Sequence, residues 1–578
     1  MKIQHYKIPI VFILTFLIFF AGLSIAKSQN SKRPNIVYIL LDDAGFSDLG
    51  SYGSEINTPN MDQLATEGIR YNHFETRAIC SPTRAALLTG RNSQAVGMMD
   101  LAGGSEDGPA HSRGYVTPEA AIVAQILKEN GYQTTATGKW HLTPPQEMFD
   151  ESTNSASTRR NWPTGKGFDN FYGWLTGWTD QYNPSGRGQR IIEGDMPAEE
   201  NNPGGEHVSE EIVTKAIQYL DEGFKTNPEQ PQFLYLAFGA IHAPIQVPEE
   251  YIEKYNGAYD EGWDKIRLER FERQKRIGII PEDAVLTARH LDDPAWNSLS
   301  DEEKAVFARF MEVYAGFTEH TDEQIGRLIN YLKSSGQYDN TVIFLMSDNG
   351  AAPEAGVEGN FEHPYGGQMT ISEMYNRLDE LGSENSSALY QRPWARVGAT
   401  PFQKYKLWPH GGGVRDPLII TWPEKIRDSG SIRTQYVETI DITPTVLDIL
   451  DIGAPEELDG VEQMDFHGES ILPTFTDPNA STRTTQFYLM RGNRAIYHDG
   501  WKAIAIHERG TDFEDDHWEL YHVEKDFSEA VDLSAQYPEK VEEMKALWWT
   551  EAEKYGGLPL LEFRPPWLRN NNDDDDDD

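Results

Sequence analysis

Six short stretches of the chain carry side chains with chemistry at useful spacing. In Cys80-Ser-Pro-Thr-Arg84, Pro82 suits the first helical position and Ser81 the cap. Cys80 is then expected just outside a helix N-terminus, where unpaired N–H groups and the helix dipole favour an anion. Arg84, in the first turn, can aim its guanidinium at an oxyanion held by residue 80. Asp42-Asp43 and Asp348-Asn349 are hard oxygen donors with no Cys or paired His ligand set among them, which suits Ca²⁺ or Mg²⁺ better than zinc. Lys139 and His141 share a face if their segment is extended, so Lys139 can bind oxygens of an anion. His242 follows the apolar run 233–238, and Lys404 and Lys406 form a second spaced pair of cations. Together these residues describe the handling of an anionic group beside a divalent cation.

The elements that must position them are legible in the pattern. Asn35-Ile-Val-Tyr-Ile-Leu-Leu41 is an almost unbroken β-prone run, as in a strand covered on both faces. Adjacent aspartates in a regular strand point to opposite faces, so Asp42 and Asp43 reach one ion only where that strand has just ended. Strands are also expected at 132–137, 233–238 and 341–346. Helices are expected from Thr58-Pro59 to Gly68, from Thr117-Pro118 to Asn130-Gly131, through Val208–Leu220, and in a segment ending near Tyr331. Strands alternating with helices imply βαβ units and a mostly parallel sheet. The chemically equipped residues recur just after strands, at the sheet edge where ligand sites of open α/β folds collect. Beyond about residue 481 four short strand-like pieces (Gln486–Met490, Arg494–Tyr497, Trp501–Ile506, Trp518–Tyr521) precede a helix from Pro538 to about Lys554, the texture of a small antiparallel sheet plus helix. The polar stretches 145–165, 180–206, 255–300 and 353–400 read as insertions. The expected division is a signal peptide at 1–26, a catalytic α/β domain at 33–480, a small α+β subdomain at 481–566 and a disordered acidic tail at 567–578.

The chain has 578 residues, 38% hydrophobic and 11% aromatic, enough for a large packed core. Its 92 Asp and Glu against 51 Lys and Arg give a net charge of −41, which would be repelled by a phosphate backbone and excludes a nucleic-acid partner. Lys2 and Lys7 precede an apolar run from Ile8 to Ile25, and Ser24-Ile25-Ala26 offers the small residues that a signal peptidase needs. An uncleaved anchor helix is the alternative by length. The reading is an exported protein, periplasmic or secreted, with no stable membrane association after cleavage. Cys80 is the single cysteine and can form no internal disulfide in the oxidising compartment such a leader implies.

Cys80-Ser-Pro-Thr-Arg84 followed by Leu88-Thr-Gly-Arg91 resembles the signature of the formylglycine-dependent (type I) sulfatases. Arg33-Pro-Asn-Ile-Val leading to Asp42-Asp43, Thr137-Gly-Lys-Trp-His141, Ile241-His-Ala-Pro244, Ser347-Asp-Asn-Gly350, Tyr405-Lys406 before Gly411-Gly-Gly-Val-Arg415, and Trp518-Glu-Leu-Tyr521 agree with that family in order. The likeness spans residues 33 to 556, and the spacing around Lys406 is most similar to the prokaryotic aryl/alkyl sulfatases. It implies an alkaline-phosphatase-like α/β fold and hydrolysis of a sulfate monoester. It implies that a formylglycine-generating maturation enzyme oxidises Cys80 to Cα-formylglycine (3-oxoalanine). One hydroxyl of the hydrated aldehyde attacks sulfur, and collapse through the other expels sulfate. It implies one Ca²⁺ held by Asp42, Asp43, Asp348 and Asn349 with residue 80. In the same analogy Arg84 and Lys139 bind the anionic centre, His141 assists removal of the diol proton, His242 protonates the departing alcohol, and Lys406 lies near that oxygen. His410 is a further candidate for substrate contact. The pocket is expected to be locally cationic within an acidic protein. A sulfated polysaccharide or oligosaccharide is the expected substrate. The rival readings are a phosphonate or phosphate monoester hydrolase with the same nucleophile, and a sulfated-glycan-binding protein without activity.

Overall fold

A computed structural model describes residues 32–103, 108–148, 158–184, 190–198, 207–362 and 367–562. The expected signal peptide at 1–26 and the acidic tail at 567–578 lie outside the described residues, as do parts of three of the four insertions. From Pro34 onward the chain forms one compact unit.

Six strands matter for the site: β1 (Asn35–Leu41), β2 (Gln133–Lys139), β3 (Asn170–Trp174), β4 (Gln232–Ala237), β5 (Thr341–Ser347) and β6 (Leu418–Thr421). All seven residues of β1 are buried, and the reason is visible in its alternation. Val37, Ile39 and Leu41 belong to one hydrophobic core, and Ile36, Tyr38 and Leu40 to another on the opposite face of the sheet. A strand with a core on each side has no polar face, which is why its sequence runs unbroken.

β1 pairs in parallel with β4 and β5, and β2 in parallel with β4 and β3. The five parallel strands stand in the order β5-β1-β4-β2-β3 at the middle of a ten-stranded sheet. The sheet is mixed, because β6 runs antiparallel to β5 and the two-residue pieces Ile192–Glu193 and Met196–Pro197 extend it antiparallel beyond β3. Pieces that short have no periodicity to read. Register brings the carboxyl ends together: Leu41 stands opposite Ser347, Leu40 opposite Ala237, and Gly138 opposite Ala237. The residues that follow these strands are thereby delivered to one edge.

The helices among the described residues include α1 (Pro59–Glu67), α2 (Cys80–Thr89), α3 (Val123–Glu129), α4 (Val208–Thr226), α5 (Gly262–Ile277), α6 (Asp301–Ser334) and α7 (Pro538–Lys554). α6 opens on a capping box of Ser300 with Glu303, which satisfies orphan N–H groups at its start. Two sequence expectations fail here. α3 starts at Val123 rather than at Thr117-Pro118, because the preceding turn is closed by side chains: Ala121 N donates to Gln463 Oε1 at 2.7 Å and Ile122 N to Gln125 Oε1 at 3.1 Å. The stretch 255–300, read as an insertion, contains the 16-residue helix α5. Its buried face includes Arg267, Arg270 and Gln274 beside Trp263, Ile266 and Phe271, so polar residues interrupt the apolar periodicity that would have revealed it.

Near the C-terminus β7 (Thr485–Met490), β8 (Asn493–His498), β9 (Trp501–Ala505) and β10 (Trp518–His522) form an antiparallel meander. One face packs Phe487, Ile496, Ala503 and Leu520 against Met544, Trp548 and Ala552 of α7. The other packs Tyr488, Ala495 and Ile504 against Ala78, Val414 and Tyr436. Among the described residues no helix is long and apolar enough to cross a membrane.

Candidate active site

β1 ends at Leu41, and Asp43 turns into the left-handed region (φ 65°), so the strand alternation that would separate two neighbouring carboxylates is broken. Ligand atoms of Asp42, Asp43 and His242 lie within 4.8 Å of one another, as do those of Asp42, Cys80 and Asp348. Asn349 Nδ2 donates to Asp43 Oδ1 at 2.6 Å.

α2 presents Cys80 to this cluster, and all ten of its residues are buried. The expected cap is corrected. Cys80 lies within the first turn, Ile79 occupies the cap position, and no side chain bonds there. Ser81 instead donates its hydroxyl to His141 O at 2.7 Å, and Thr83 Oγ1 accepts from Arg77 N at 3.0 Å. Arg84 Nε and Nη2 donate to Asp348 Oδ2 at 2.9 and 2.8 Å, and Nη1 to Lys139 O at 2.9 Å and Tyr235 Oη at 3.4 Å. Its guanidinium fastens the carboxylates around residue 80 rather than pointing freely at it.

Lys139 closes β2 and places Nζ 2.5 Å from Asp42 Oδ2. The segment after it is not extended, as had been expected, because His141 is left-handed (φ 56°). Gly177 makes room for the imidazole: a Cβ there would stand 2.6 Å from His141 Cε1. His141 Nδ1 is buried with no hydrogen-bond partner among the described residues. His242 Nδ1 lies 2.5 Å from Ala243 O, and Nε2 3.8 Å from Asp43 Oδ2. Lys406 Nζ stands 2.8 and 3.0 Å from the two oxygens of Asp43 and 3.1 Å from Glu354 Oε1. Lys404 does not join the site; its ammonium sits 4.2 Å above the Trp408 ring. His410, expected as a substrate contact, instead pairs through Nε2 with Glu519 Oε2 at 2.8 Å, tying the loop after Lys406 to β10.

Burial and mutual charge set the protonation. Burial, with Asp348 alongside, pushes Asp42 up to about 7 against the pull of Lys139 and Arg84. Burial would raise Asp43 too, but Lys406 and His242 outweigh it and bring it down to about 2. Burial would lower Lys406, yet Asp43 and Glu354 hold it well above the usual lysine range. Burial pushes His242 down to about 3 in spite of Asp43, and burial with Lys139 beside it takes His141 well below its ordinary value. Burial also raises the Cys80 thiol.

The expected excess of positive charge is therefore not supplied by protein groups. Asp42, Asp43 and Asp348 balance Arg84, Lys139 and Lys406, and Glu354 adds one more carboxylate. A divalent cation is what would make the pocket attractive to an anion. The residues fit one: Asp42 Oδ1 and Asn349 Oδ1 are buried oxygens with no hydrogen-bond partner among the described residues, and the donor set is hard oxygen. Sequence reasoning did not find Glu354, Tyr235 or Gly177. Glu354 lies in an insertion, Tyr235 is one apolar-strand residue among several, and a lone glycine carries no signal before the imidazole it accommodates is placed.

Residues 34–452 match the family model for sulfatases, and residues 403–551 match that for the C-terminal part of N-sulphoglucosamine sulphohydrolase. An uncharacterized sulfatase of Schizosaccharomyces pombe is 33% identical over 545 residues, covering 90% of this chain and 94% of the relative. The arylsulfatase of Klebsiella aerogenes is 31% identical over 447 residues, covering 75% and 90%. A solved structure in complex with its substrate D-glucosamine-2-N,6-O-disulfate has the same fold, with a TM-score of 0.60 at 20% identity over 91% of this chain and 99% of that one. The chain belongs to the sulfatase family and is built as a sulfuric ester hydrolase.

Proposed function

We propose that this protein is an exported, Ca²⁺-dependent sulfatase that removes sulfate from a sulfated polysaccharide or oligosaccharide, with Cys80 matured to formylglycine as its nucleophile. The observation that carries the reading is the convergence of Cys80 with Asp42 and Asp348, their ligand atoms within 4.8 Å of one another at the head of a fully buried helix. Matured to formylglycine, residue 80 would supply a hydrated aldehyde, whose two hydroxyls allow both attack on sulfur and release of sulfate. A bound Ca²⁺, held by Asp42, Asp43, Asp348 and Asn349 with residue 80, would supply fixed positive charge to oxygens of the ester.

The chain's own residues support that chemistry as follows. Lys139 and Arg84 hold Asp42 and Asp348 in place and set cationic charge beside the sulfate oxygens, a preorganised arrangement that needs no rearrangement as charge develops. His141, kept neutral, has a free ring nitrogen with which to accept a proton from residue 80. On the leaving side Lys406 remains protonated and can stabilise the departing oxygen. His242 Nδ1 donating to Ala243 O leaves Nε2 directed at the pocket, where proton delivery to the alcohol requires the imidazolium that an arriving anion favours.

The glycan substrate is supported by the sugar sulfate in the related structure and by the sulphoglucosamine name of the matching C-terminal region. Export is supported by the leader pattern. Turnover of a panel of sulfated oligosaccharides, with a phosphate ester alongside, tests the reading. Desulfation of at least one oligosaccharide is expected, and faster phosphate turnover would overturn it. Mature protein beginning at Lys27 is the expected outcome of N-terminal sequencing.

A further inference from the structure

Contacts on the leaving side run outward from the carboxylate cluster to water. Lys406 Nζ and His242 Nε2 both face Asp43 Oδ2, at 3.0 and 3.8 Å. Side-chain exposure rises from 1% at Asp43 and 3% at Lys406 to 31% at Glu354, so Glu354 is the water-facing end of a carboxylate–ammonium–carboxylate row. The backbone holds it there. Gly350 N donates to Gly413 O at 3.3 Å and Lys406 N to Ala351 O at 3.2 Å, which fastens the stretch between Asn349 and Glu354 to the segment that carries Lys406. Glu354 Oε1 then meets Lys406 Nζ at 3.1 Å.

Neither the ion site nor the placement of Lys406 needs this carboxylate. Asp43 already meets the ammonium with both oxygens, at 2.8 and 3.0 Å, and Glu354 belongs to neither set of converging ligand atoms. Its one ion-pair partner among the described residues is Lys406, through Oε1. A carboxylate has about four acceptor positions and no proton to give, so Oε2 is open to a donor from the substrate. A hydroxyl supplies one. A second sulfate or carboxylate supplies none and meets like charge instead. Among the described residues the neighbouring border does not offset that charge: Leu407, with Leu101, packs against Ile79, Cys80 and Met490, and Arg491, next to Met490, is engaged with both oxygens of Asp100 at 3.1 Å.

We infer that Glu354 determines which esters are cleaved: it accepts a hydroxyl on the alcohol unit that carries the ester and turns away a unit bearing a second anionic group beside it. The favoured substrate is thus a sulfate ester of an otherwise uncharged, hydroxyl-bearing unit, such as a neutral sugar with a single sulfate. This deepens the reading above and rests on its placing of Lys406 on the leaving side.

The test compares three aryl esters on the intact, natively matured protein: phenyl sulfate, 3-(hydroxymethyl)phenyl sulfate and 3-carboxyphenyl sulfate. Their phenols are closely similar as leaving groups, so differences in kcat/KM report recognition. Wild type is expected to favour the hydroxymethyl ester over the carboxylate by about 10-fold or more, with phenyl sulfate between them. In E354Q the ratio of hydroxymethyl to carboxylate should fall to within about 3-fold. A ratio taken within one variant is insensitive to a common loss from a disturbed Lys406 or from partial unfolding. E354D, which keeps the charge, should keep the discrimination against the carboxylate relative to phenyl sulfate. A wild-type ratio near one, an unchanged ratio in E354Q, or loss of that discrimination in E354D as well would overturn the inference. Selection among the aryl esters while no sulfated oligosaccharide is desulfated would count against the glycan reading and leave the role of Glu354 standing. Oligosaccharide desulfation with the ratio unchanged in E354Q would do the reverse.

Discussion

Lys139 Nζ lies 2.5 Å from Asp42 Oδ2 although 97 residues separate them. The contact exists because β2 and β1 flank β4 in parallel register, which ends both strands at one edge. Each is buried, so neither charge has water to fall back on, and the pair with Arg84 and Asp348 forms one network.

Gly138, next to Lys139, has φ 95°, and a Cβ there would stand 1.9 Å from Ala237 O of β4. Gly138→Ala should therefore displace Lys139 from Asp42. The expected result is a loss of at least about 2 kcal/mol in denaturant-melt stability and a fall in kcat. Unchanged stability would show that β2 can slide without cost.

The pH dependence of metal binding follows from Asp42. Its carboxyl, at about 7 in the folded chain against an ordinary 3.8, keeps a proton that the unfolded chain has lost. Its contribution to stability consequently declines as pH rises from about 4 through 7. A cation bound at Asp42 would take the place of that proton. The Tm gain when Ca²⁺ is added to EDTA-treated protein should be larger at pH 8 than at pH 5.5, and the apparent Kd should fall over the same range. Equal gains at both pH values would count against Asp42 as a ligand.

Removing His242 or Lys406, the groups proposed for the leaving side, should discriminate between esters. His242→Ala is expected to slow a sugar or alkyl sulfate by about 10²–10⁴-fold and an aryl sulfate with a good leaving group by less. Lys406→Ala should show the same order and also strand Asp43, whose carboxylate is held low by that ammonium. A uniform loss on both esters would assign these residues to sulfate binding instead.

His410 offers a control outside the pocket. His410→Ala breaks the 2.8 Å contact with Glu519 and should cost about 1–2 kcal/mol of stability while leaving KM within about 2-fold. A large KM change would restore it as a substrate contact.

Much of the fold and most of the site can be read in the chain before any coordinates, and the reasons are particular. β1, β4 and β5 are legible because each is buried on both faces and therefore continuously apolar. Asp42 and Asp348 are legible because they follow such strands directly, Lys139 because it stands two residues before His141, and Cys80 and Arg84 because Pro82 marks the first turn of a helix. What stays hidden depends on contacts distant in sequence. α5 buries Arg270, whose partners, Asp48 and Glu55, lie more than two hundred residues away. Glu354 acquires its importance only when an insertion folds back onto Lys406. The charge balance of the pocket likewise emerges only when carboxylates and cations are set face to face.

The central claim concerns one side chain. Mass spectrometry of the Cys80 peptide from active, natively matured protein tests it most directly. An aldehyde or its hydrate in place of the thiol is the predicted species, in proportion to specific activity. A fully active preparation whose residue 80 is still a thiol would contradict the account.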